Sequence, residues 1–187
     1  MKEQNRTYLS DPSSLNPHSK EGVLQVVIET PKNSRNKYAF DSDRRVLALR
    51  KVLPAGMMFP YDFGFVPSTQ AEDGDPIDAL VLMDAPALPG CVLEVRVIGV
   101  IRGEDELDEG KTRRNDRLIT LAEVSHTFED VRKLDDLPEQ LVKEMQEFFA
   151  SYPRISSGSN YKLLEIGGAD EAHTLIKQSA DRALNQN

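Results

Sequence analysis

The sequence predicts a mainly β protein with helices, of the α+β class, built as an antiparallel barrel flanked by helices. In the first part of the 187-residue chain, apolar and polar residues alternate over several short stretches, which is the pattern of strands. After residue 136 the apolar residues recur at helical spacing instead. The polar residues 1–20 show neither period, and we expect them to form a flexible arm, or one that becomes ordered only against a neighbour, before a single domain at 21–187.

The predicted strands follow one another with short turns between them. In the first, at residues 23–29, Leu24, Val26 and Ile28 share one face while Glu29 lies on the other. Further strands are expected at residues 37–41, 44–53, 78–83, 92–102 and 118–122, with an apolar, aromatic run at 57–65. We expect residues 103–117, acidic first and then basic, to form a loop.

Two helices are predicted after the strands. Asp136 is suited to cap the first, and its apolar stripe extends to Tyr152. Because proline cannot continue the hydrogen-bond ladder of a helix, Pro153 is expected to end this helix near Tyr152. A second, weaker helix is predicted at residues 169–184.

The composition narrows the classes of partner and location. The net charge is −8 and the basic residues form no dense run, which disfavours a nucleic-acid partner. Cys91 is the only cysteine, so we expect no intrachain disulfide and a small core residue at that position. We find neither a signal peptide nor an apolar run of membrane-spanning length, and we therefore expect a cytoplasmic protein without a membrane partner.

An acidic turn at residues 72–78 is the strongest chemical signal in the chain. Asp73, Asp75 and Asp78 bring three carboxylates close together around a glycine and a proline. Like charges at this spacing repel one another unless a cation lies among them, and Mg²⁺, Mn²⁺ or Ca²⁺ would suit the oxygen ligands. An EF-hand is excluded because Asp78 occupies the position of its required glycine. From the residues alone, a cation site and a solvated acidic turn stay equally consistent.

The run Asp73-Gly74-Asp75-Pro76-Ile77-Asp78-Ala79 resembles the signature of the family I soluble inorganic pyrophosphatases, and the similarity extends from about residue 26 to residue 162. The resemblance implies a five-stranded, OB-like Greek-key barrel with two C-terminal helices against it. It also implies an inorganic diphosphatase that hydrolyses pyrophosphate to two phosphates with Mg²⁺, or with Mn²⁺ or another divalent cation. By the same resemblance we expect a homo-oligomer, a hexamer as in the bacterial members.

The resemblance further implies roles for individual residues. Asp75 would be the general base that deprotonates the attacking water, and Arg50 and Tyr152 would also be catalytic. The implied metal ligands are Asp73, Asp78, Asp105, Asp116 and Glu29. The implied phosphate-binding residues are Lys37, Arg50, Arg117 and Tyr152, with Arg154 or Lys162 completing the set.

Four positions depart from the family pattern. Ala39 stands where a glutamate is usual, and Phe63 replaces an active-site tyrosine. Asp116-Arg117 stands in a longer loop where Asp-x-Lys is usual, and Tyr152-Pro153-Arg154 replaces Tyr-Lys. A related hydrolase with another substrate or weak activity is therefore a second hypothesis. A third, of a different class, is an OB-fold module that binds single-stranded nucleic acid, which the acidic charge disfavours.

Overall fold

The computed structural model describes residues 11–107, 110–157 and 160–185. Within these ranges it contains nine strands and two α-helices. The strands are β1 (Leu24–Thr30), β2 (Asn36–Asp41), β3 (Val46–Val52), β4 (Asp62–Phe65), β5 (Asp78–Leu82), β6 (Val92–Glu106), β7 (Thr112–Arg114), β8 (Arg117–Ala122) and β9 (Tyr161–Gly168), and the helices are α1 (Glu139–Ser157) and α2 (Ala169–Leu184).

Five strands close into the predicted barrel. The pairings run in the order β1-β4-β5-β8-β6, and β6 pairs with β1 again to complete the ring. The β5–β8 pair is parallel and the others are antiparallel. Closure leaves no exposed strand edge within the ring. β2 and β3 form a separate two-stranded sheet.

The core lies on both faces of the barrel wall. Along β5, Ala79 and Val81 belong to the apolar cluster that includes α2, while Leu80 and Leu82 belong to the cluster that includes α1. This explains why β5 is a continuous apolar run rather than an alternating one. Gly64 permits the β1–β4 contact, since a Cβ there would lie 1.9 Å from the carbonyl oxygen of Val27.

The expected loop at 103–117 is in large part a β-hairpin, so that expectation is wrong. β6 continues to Glu106, and β7 pairs with it antiparallel. The register places Glu104 opposite Arg114 and Asp105 opposite Arg113. Opposite charges across an antiparallel pair stabilise it. The acidic-then-basic order of this segment therefore favours a hairpin.

β9 pairs with β6 and was not expected from the sequence. A register shift between Arg102 and Gly103 interrupts the regular pairing, and the apolar residues of β9 do not alternate cleanly. Gly103 is required at this point because a Cβ would lie 2.1 Å from the ring of Tyr161. The absent side chain lets that ring pack against β6.

The first helix does not end at Tyr152 as expected, because α1 continues through Pro153 to Ser157. The fixed φ of proline is close to the helical value, so Pro153 can remain in the helix. Because it has no backbone N–H, the carbonyl of Phe149 loses its helical hydrogen bond. The second helix, α2, has the predicted bounds.

The part of the predicted arm that the structure describes lies against the barrel. The backbone N–H of Gln25 donates to the carbonyl of Pro17 at 2.8 Å, and His18 forms a β-bridge with Leu24. Residues 1–10 lie outside the described residues, and the domain boundary at residue 20 stays a prediction.

Cys91 is exposed, so its assignment to the core is wrong. Within the described ranges, neither α1 nor α2 has the length and apolar character needed to cross a membrane.

Candidate active site

A cavity of about 750 Å³ lies where the acidic turn, the β2–β3 sheet, the β6–β7 hairpin and the end of α1 meet. It brings together most of the sequence-predicted site residues. Those that line it are Glu29, Lys37, Arg50, Asp73, Asp75, Asp78, Asp105, Arg117 and Tyr152. Asp116, Arg154 and Lys162 are not among its lining residues.

The backbone of the acidic turn is fixed by local hydrogen bonds. The N–H of Asp75 donates to the Oδ1 atom of Asp73 at 3.1 Å, and the N–H of Ala71 donates to the carbonyl of Asp75 at 2.7 Å. Gly74 has a φ of 95°, which a residue without a Cβ adopts most easily. The turn therefore holds Asp73 and Asp75 close together at the cavity.

Asp78 opens β5 beside Arg117, its neighbour in the parallel register with β8. Its Oδ2 atom lies 3.7 Å from the Nε atom of Arg117, and 27% of its side chain is accessible. Burial raises the pKa of Asp78 to about 6, although the charges of Arg117 and Lys37 act in the opposite direction. Asp73 and Asp75 raise this pKa further. The carboxylate thus ionises against the repulsion of its neighbours.

Glu29 is buried in the barrel wall and faces the same cavity. Burial raises the pKa of Glu29 to about 7, even though the backbone N–H of Phe40 donates to its Oε1 atom at 2.6 Å. The negative charges of Asp78 and Asp75 contribute to the increase. Burial and the neighbouring carboxylates therefore both disfavour the charged form of Glu29.

Lys37 provides a partly buried cation that lines the same cavity. Its Nζ atom donates to the hydroxyl of Tyr152 at 3.1 Å and lies 5.5 Å from the centre of the Phe63 ring. Burial alone would lower the pKa of Lys37, but Tyr152 and Asp78 raise it above its ordinary value. The side chain is therefore charged at neutral pH.

Arg117 is held rigidly between two aromatic rings. Its guanidinium carbon lies 4.6 Å from the ring centre of Phe149 and 4.3 Å from that of Tyr161. Its Nη1 atom donates to the carbonyl of Asn115 at 3.1 Å, while its buried Nε atom has no hydrogen-bond partner within the described ranges. A buried donor without a partner is uncommon. This N–H is suited to an anion that enters the cavity.

The structure places Asn115, and not Asp116, at the cavity wall. The Nδ2 atom of Asn115 donates to the Oδ2 atom of Asp105 at 2.7 Å. The Oδ1 atom of Asp116 accepts from the N–H of Gly103 at 3.1 Å and from the Nη2 atom of Arg114 at 2.7 Å. In this conformation the carboxylate of Asp116 is thus engaged by protein donors.

Arg154 and Lys162 have exposed side chains, and Pro153 is the residue after Tyr152 that lines the cavity. Ala39 and Phe63 also line it, so both of these departures from the family pattern lie at the site itself. No hydroxyl or carboxylate extends from either of these two positions.

Sequence reasoning missed further lining residues. Ser13, Lys51, Arg113 and Asn115 all line the cavity. Lys51 adjoins Arg50 in the sequence, and its Nζ atom lies 5.7 Å from the ring centre of Tyr152. Arg113 and Asn115 become visible only once the hairpin register is known, and no sequence signal indicates Ser13.

The donor set at this site fits a hydrated divalent cation. Across the described parts of the chain, no three Asp, Glu, His or Cys side chains lie close enough together to hold one ion by themselves. Mg²⁺ does not require such a cage, because it commonly binds one or two carboxylates and fills its other positions with water and substrate phosphates. Burial is the main cause of the raised pKa of Asp78 and Glu29, and repulsion between carboxylates adds to it. A cation would relieve that repulsion.

Comparisons with known proteins find related sequences over most of the chain. A family model described as inorganic pyrophosphatase matches residues 26–184. The inorganic pyrophosphatase of Synechocystis sp. is 37% identical over 166 residues, which cover 89% of this chain and 93% of that relative. The one from Thermus thermophilus is 40% identical over 135 residues, which cover 72% of this chain and 74% of that relative.

Solved structures show the same likeness over nearly the whole chain. The crystal structure of inorganic pyrophosphatase from Thermus thermophilus superposes with a TM-score of 0.84 at 35% identity, covering 93% of this chain and 99% of that one. The crystal structure of an inorganic pyrophosphatase from Neisseria gonorrhoeae gives a TM-score of 0.81 at 31% identity, covering 90% and 96%.

Proposed function

The chain belongs to the inorganic pyrophosphatase family, and on this premise we propose that its cavity hydrolyses pyrophosphate to two orthophosphates with Mg²⁺. Members of this family need a divalent metal ion. The observation that carries the proposal is that carboxylates and cations line one cavity side by side, with Asp78 3.7 Å from Arg117. Such an arrangement suits an anion that arrives together with divalent ions.

In the proposed mechanism, Asp73 and Asp78 would hold the metal directly, and Asp105 and Glu29 would assist them. A bound divalent ion lowers the pKa of its water and offsets charge on phosphoryl oxygens. Asp116 was also expected as a ligand, and it would have to leave Arg114 and Gly103 to serve as one. The exposed position of Asp75 in the acidic turn supports its role as the general base.

The basic side chains that line the cavity, Lys37, Arg50 and Arg117, would bind the phosphates and hold them in line for attack. Arg117 offers its Nε–H, which lies 3.7 Å from Asp78 and makes no hydrogen bond within the described residues. Lys37 offers a charge fixed by Tyr152. The side chain of Arg50 is 48% exposed, and its nearest contact with Asp41 is a long one of 3.5 Å. Arg50 is therefore able to turn toward a substrate. Arg154 would need a change of position to reach the cavity.

The test is phosphate release from pyrophosphate with and without Mg²⁺, on wild type and on Asp75→Asn. This change keeps the shape of the side chain and removes the base, so we expect the rate to fall by about 10²–10⁴. Asp135→Asn is the control, because this carboxylate is 83% exposed and lies outside the cavity lining. Metal-independent release, or an unaffected Asp75→Asn enzyme, would contradict the proposed mechanism.

A second candidate is a related hydrolase with altered substrate preference or weak activity. It is supported by Ala39, Phe63 and Asn115, which all line the cavity and carry no ionisable group. Measuring triphosphate and nucleoside triphosphates beside pyrophosphate in the same assay separates the two candidates. A faster rate on a longer phosphate chain would favour the second.

The proposal extends to assembly and location. By the family resemblance the chain would form a homo-oligomer, a hexamer as in the bacterial members, and exposed apolar side chains on β3 offer a surface for contacts between copies. These side chains are Val46, Leu49 and Val52. A cytoplasmic location stays a prediction.

A further inference from the structure

The loop at residues 66–77, which joins β4 to β5 and carries the acidic turn, is held by two segments far from it in sequence. The first is the segment at 11–15. The N–H of Ser68 donates to the carbonyl of Ser13, and the hydroxyl of Ser68 donates to the carbonyl of Leu15, both at 2.8 Å. Ser13 also lines the active-site cavity, so this segment is part of the site wall.

The segment at 11–15 has a defined shape of its own. Asp11 caps a single 3-10 turn, accepting from the N–H of Ser13 at 2.9 Å and from its hydroxyl at 2.6 Å. On the other side of the contact, Ser68 has a φ of 51°, a left-handed conformation that is uncommon for a residue with a Cβ. Both hydrogen bonds from Ser68 support this strained conformation.

The second segment is the C-terminal half of α2. The N–H of Gln70 donates to the carbonyl of Ser179, and the Nε atom of Arg182 donates to the carbonyl of Gln70, both at 2.9 Å. The Nη2 atom of Arg182 donates to the hydroxyl of Ser179 at 3.1 Å, and Ser179 is fully buried. Both backbone groups of Gln70 are therefore fixed to one helix.

Hydrogen bonds inside the loop connect these anchors to the acidic turn. The hydroxyl of Thr69 donates to the carbonyl of Val66 at 2.6 Å and accepts from the N–H of Ile77 at 3.1 Å. The next residues bond to the turn itself, since the N–H of Ala71 donates to the carbonyl of Asp75 at 2.7 Å. A displacement at residues 68–70 would thus move the carboxylates of the turn.

We propose that residues 11–15 and 179–182 position the acidic turn, with Ser68 and Arg182 as the contacts that matter most. The inference rests on the proposed function, in which this turn holds the divalent ion. Carboxylates that repel one another spread apart in a free loop, and bringing them together costs binding free energy each time an ion binds. Fixing the loop in advance removes that cost. Residues 11–15 and 179–182 therefore increase the affinity of the acidic turn for the metal ion.

The test measures Mg²⁺ binding by titration calorimetry without substrate, together with the Mg²⁺ dependence of pyrophosphate hydrolysis. For Arg182→Met we expect the Kd for Mg²⁺ to increase about five- to tenfold, with kcat at saturating Mg²⁺ within about twofold of wild type. Arg182→Lys keeps a donor for Gln70, and its Kd for Mg²⁺ is expected to lie between those of wild type and Arg182→Met. Ser68→Gly removes the hydroxyl but accepts the positive φ, and should also weaken Mg²⁺ binding.

The matched control is Arg96→Met. Arg96 ties β6 to Glu123, which follows β8, at 3.0 Å, and both residues lie outside the cavity lining. It should lower thermal stability and leave the Kd for Mg²⁺ unchanged. The proposal is overturned if Arg182→Met and Ser68→Gly behave in this way too. Failure of the wild type to hydrolyse pyrophosphate would count against the proposed function, while the calorimetry would still test the positioning role.

Discussion

Arg113 places a positive charge among the carboxylates of the site. It stands opposite Asp105 in the β6–β7 register, so both side chains leave the same face of the hairpin. Burial raises the pKa of Asp73, while Arg113 acts in the opposite direction and Asp105 adds to the increase. The protein therefore supplies by itself part of the positive charge that a divalent ion would otherwise bring.

Replacing Arg113 with glutamine should tighten Mg²⁺ binding. The change removes a cation that repels the ion near Asp73 and Asp105, and we expect the Kd for Mg²⁺ to fall about three- to tenfold. Calorimetry without substrate measures it. Lys177→Gln makes the same charge change at an exposed position on α2 and serves as the control. Unchanged or weaker binding in Arg113→Gln would show that its charge does not act on the acidic turn.

The carboxylates of the turn could be predicted from the sequence because they lie in one short, specific motif. Arg113 and Asn115 could not be predicted, because their position depends on how β7 pairs with β6. The assignment of Asp116 to the site depended on the same unknown register. Ser13 is farther still from the motif, and only the folded chain brings it to the cavity.

Asp84 connects two elements of the barrel at the point where both end. β5 and β8 are parallel, so Asp84, which follows β5, lies beside the turn that follows β8. Its carboxylate accepts from the N–H groups of His126 and Thr127, both at 2.8 Å, and from the hydroxyls of Ser125 and Thr127. The Thr127 hydroxyl, followed by these backbone N–H groups, holds the pKa of Asp84 well below its ordinary value of 3.8.

The lowered pKa fixes the sign of a pH effect on stability. A carboxylate with a depressed folded pKa stabilises the protein above its unfolded pKa and loses that contribution as the pH falls toward the folded value. Asp84→Asn should therefore lower the free energy of unfolding at pH 7, and its difference from wild type should narrow below about pH 4. Urea unfolding at pH 7 and pH 3 measures this.

Asp43→Asn is the control for Asp84→Asn, since Asp43 lies in the exposed turn between β2 and β3. We expect it to leave stability at pH 7 nearly unchanged. An Asp84→Asn protein as stable as wild type at pH 7 would show that the carboxylate contributes nothing beyond what an amide provides.

The same elements show what sequence patterns can and cannot predict. β5 could be predicted because a short apolar run buried on both faces has few other interpretations. β9 could not, because its pairing shifts where Gly103 meets Tyr161 and its alternation is lost. The prediction that α1 ends before Pro153 was wrong for a different reason, because tertiary packing outweighs the loss of one helical hydrogen bond.

The whole molecule is needed to assemble the cavity. Its lining residues come from β1, the β2–β3 sheet, the acidic turn, the β6–β7 hairpin and α1. From β1 to the end of α1 these elements span more than a hundred residues of sequence. An unfolded chain cannot bring these groups together. A divalent ion that binds there consequently binds the folded state alone, and its binding free energy adds to the stability of the entire fold.

Mg²⁺ should therefore raise the melting temperature of the protein. At a concentration one hundred times its Kd, a ligand of the folded state adds about 2.7 kcal/mol, which corresponds to roughly 5–10 °C for a chain of this size. NaCl at equal ionic strength is the control, since it screens the repulsion among carboxylates without binding as a divalent ion. Asp78→Asn should lose most of the Mg²⁺ effect. An equal increase in NaCl would mean that screening, and not binding at the acidic turn, stabilises the fold.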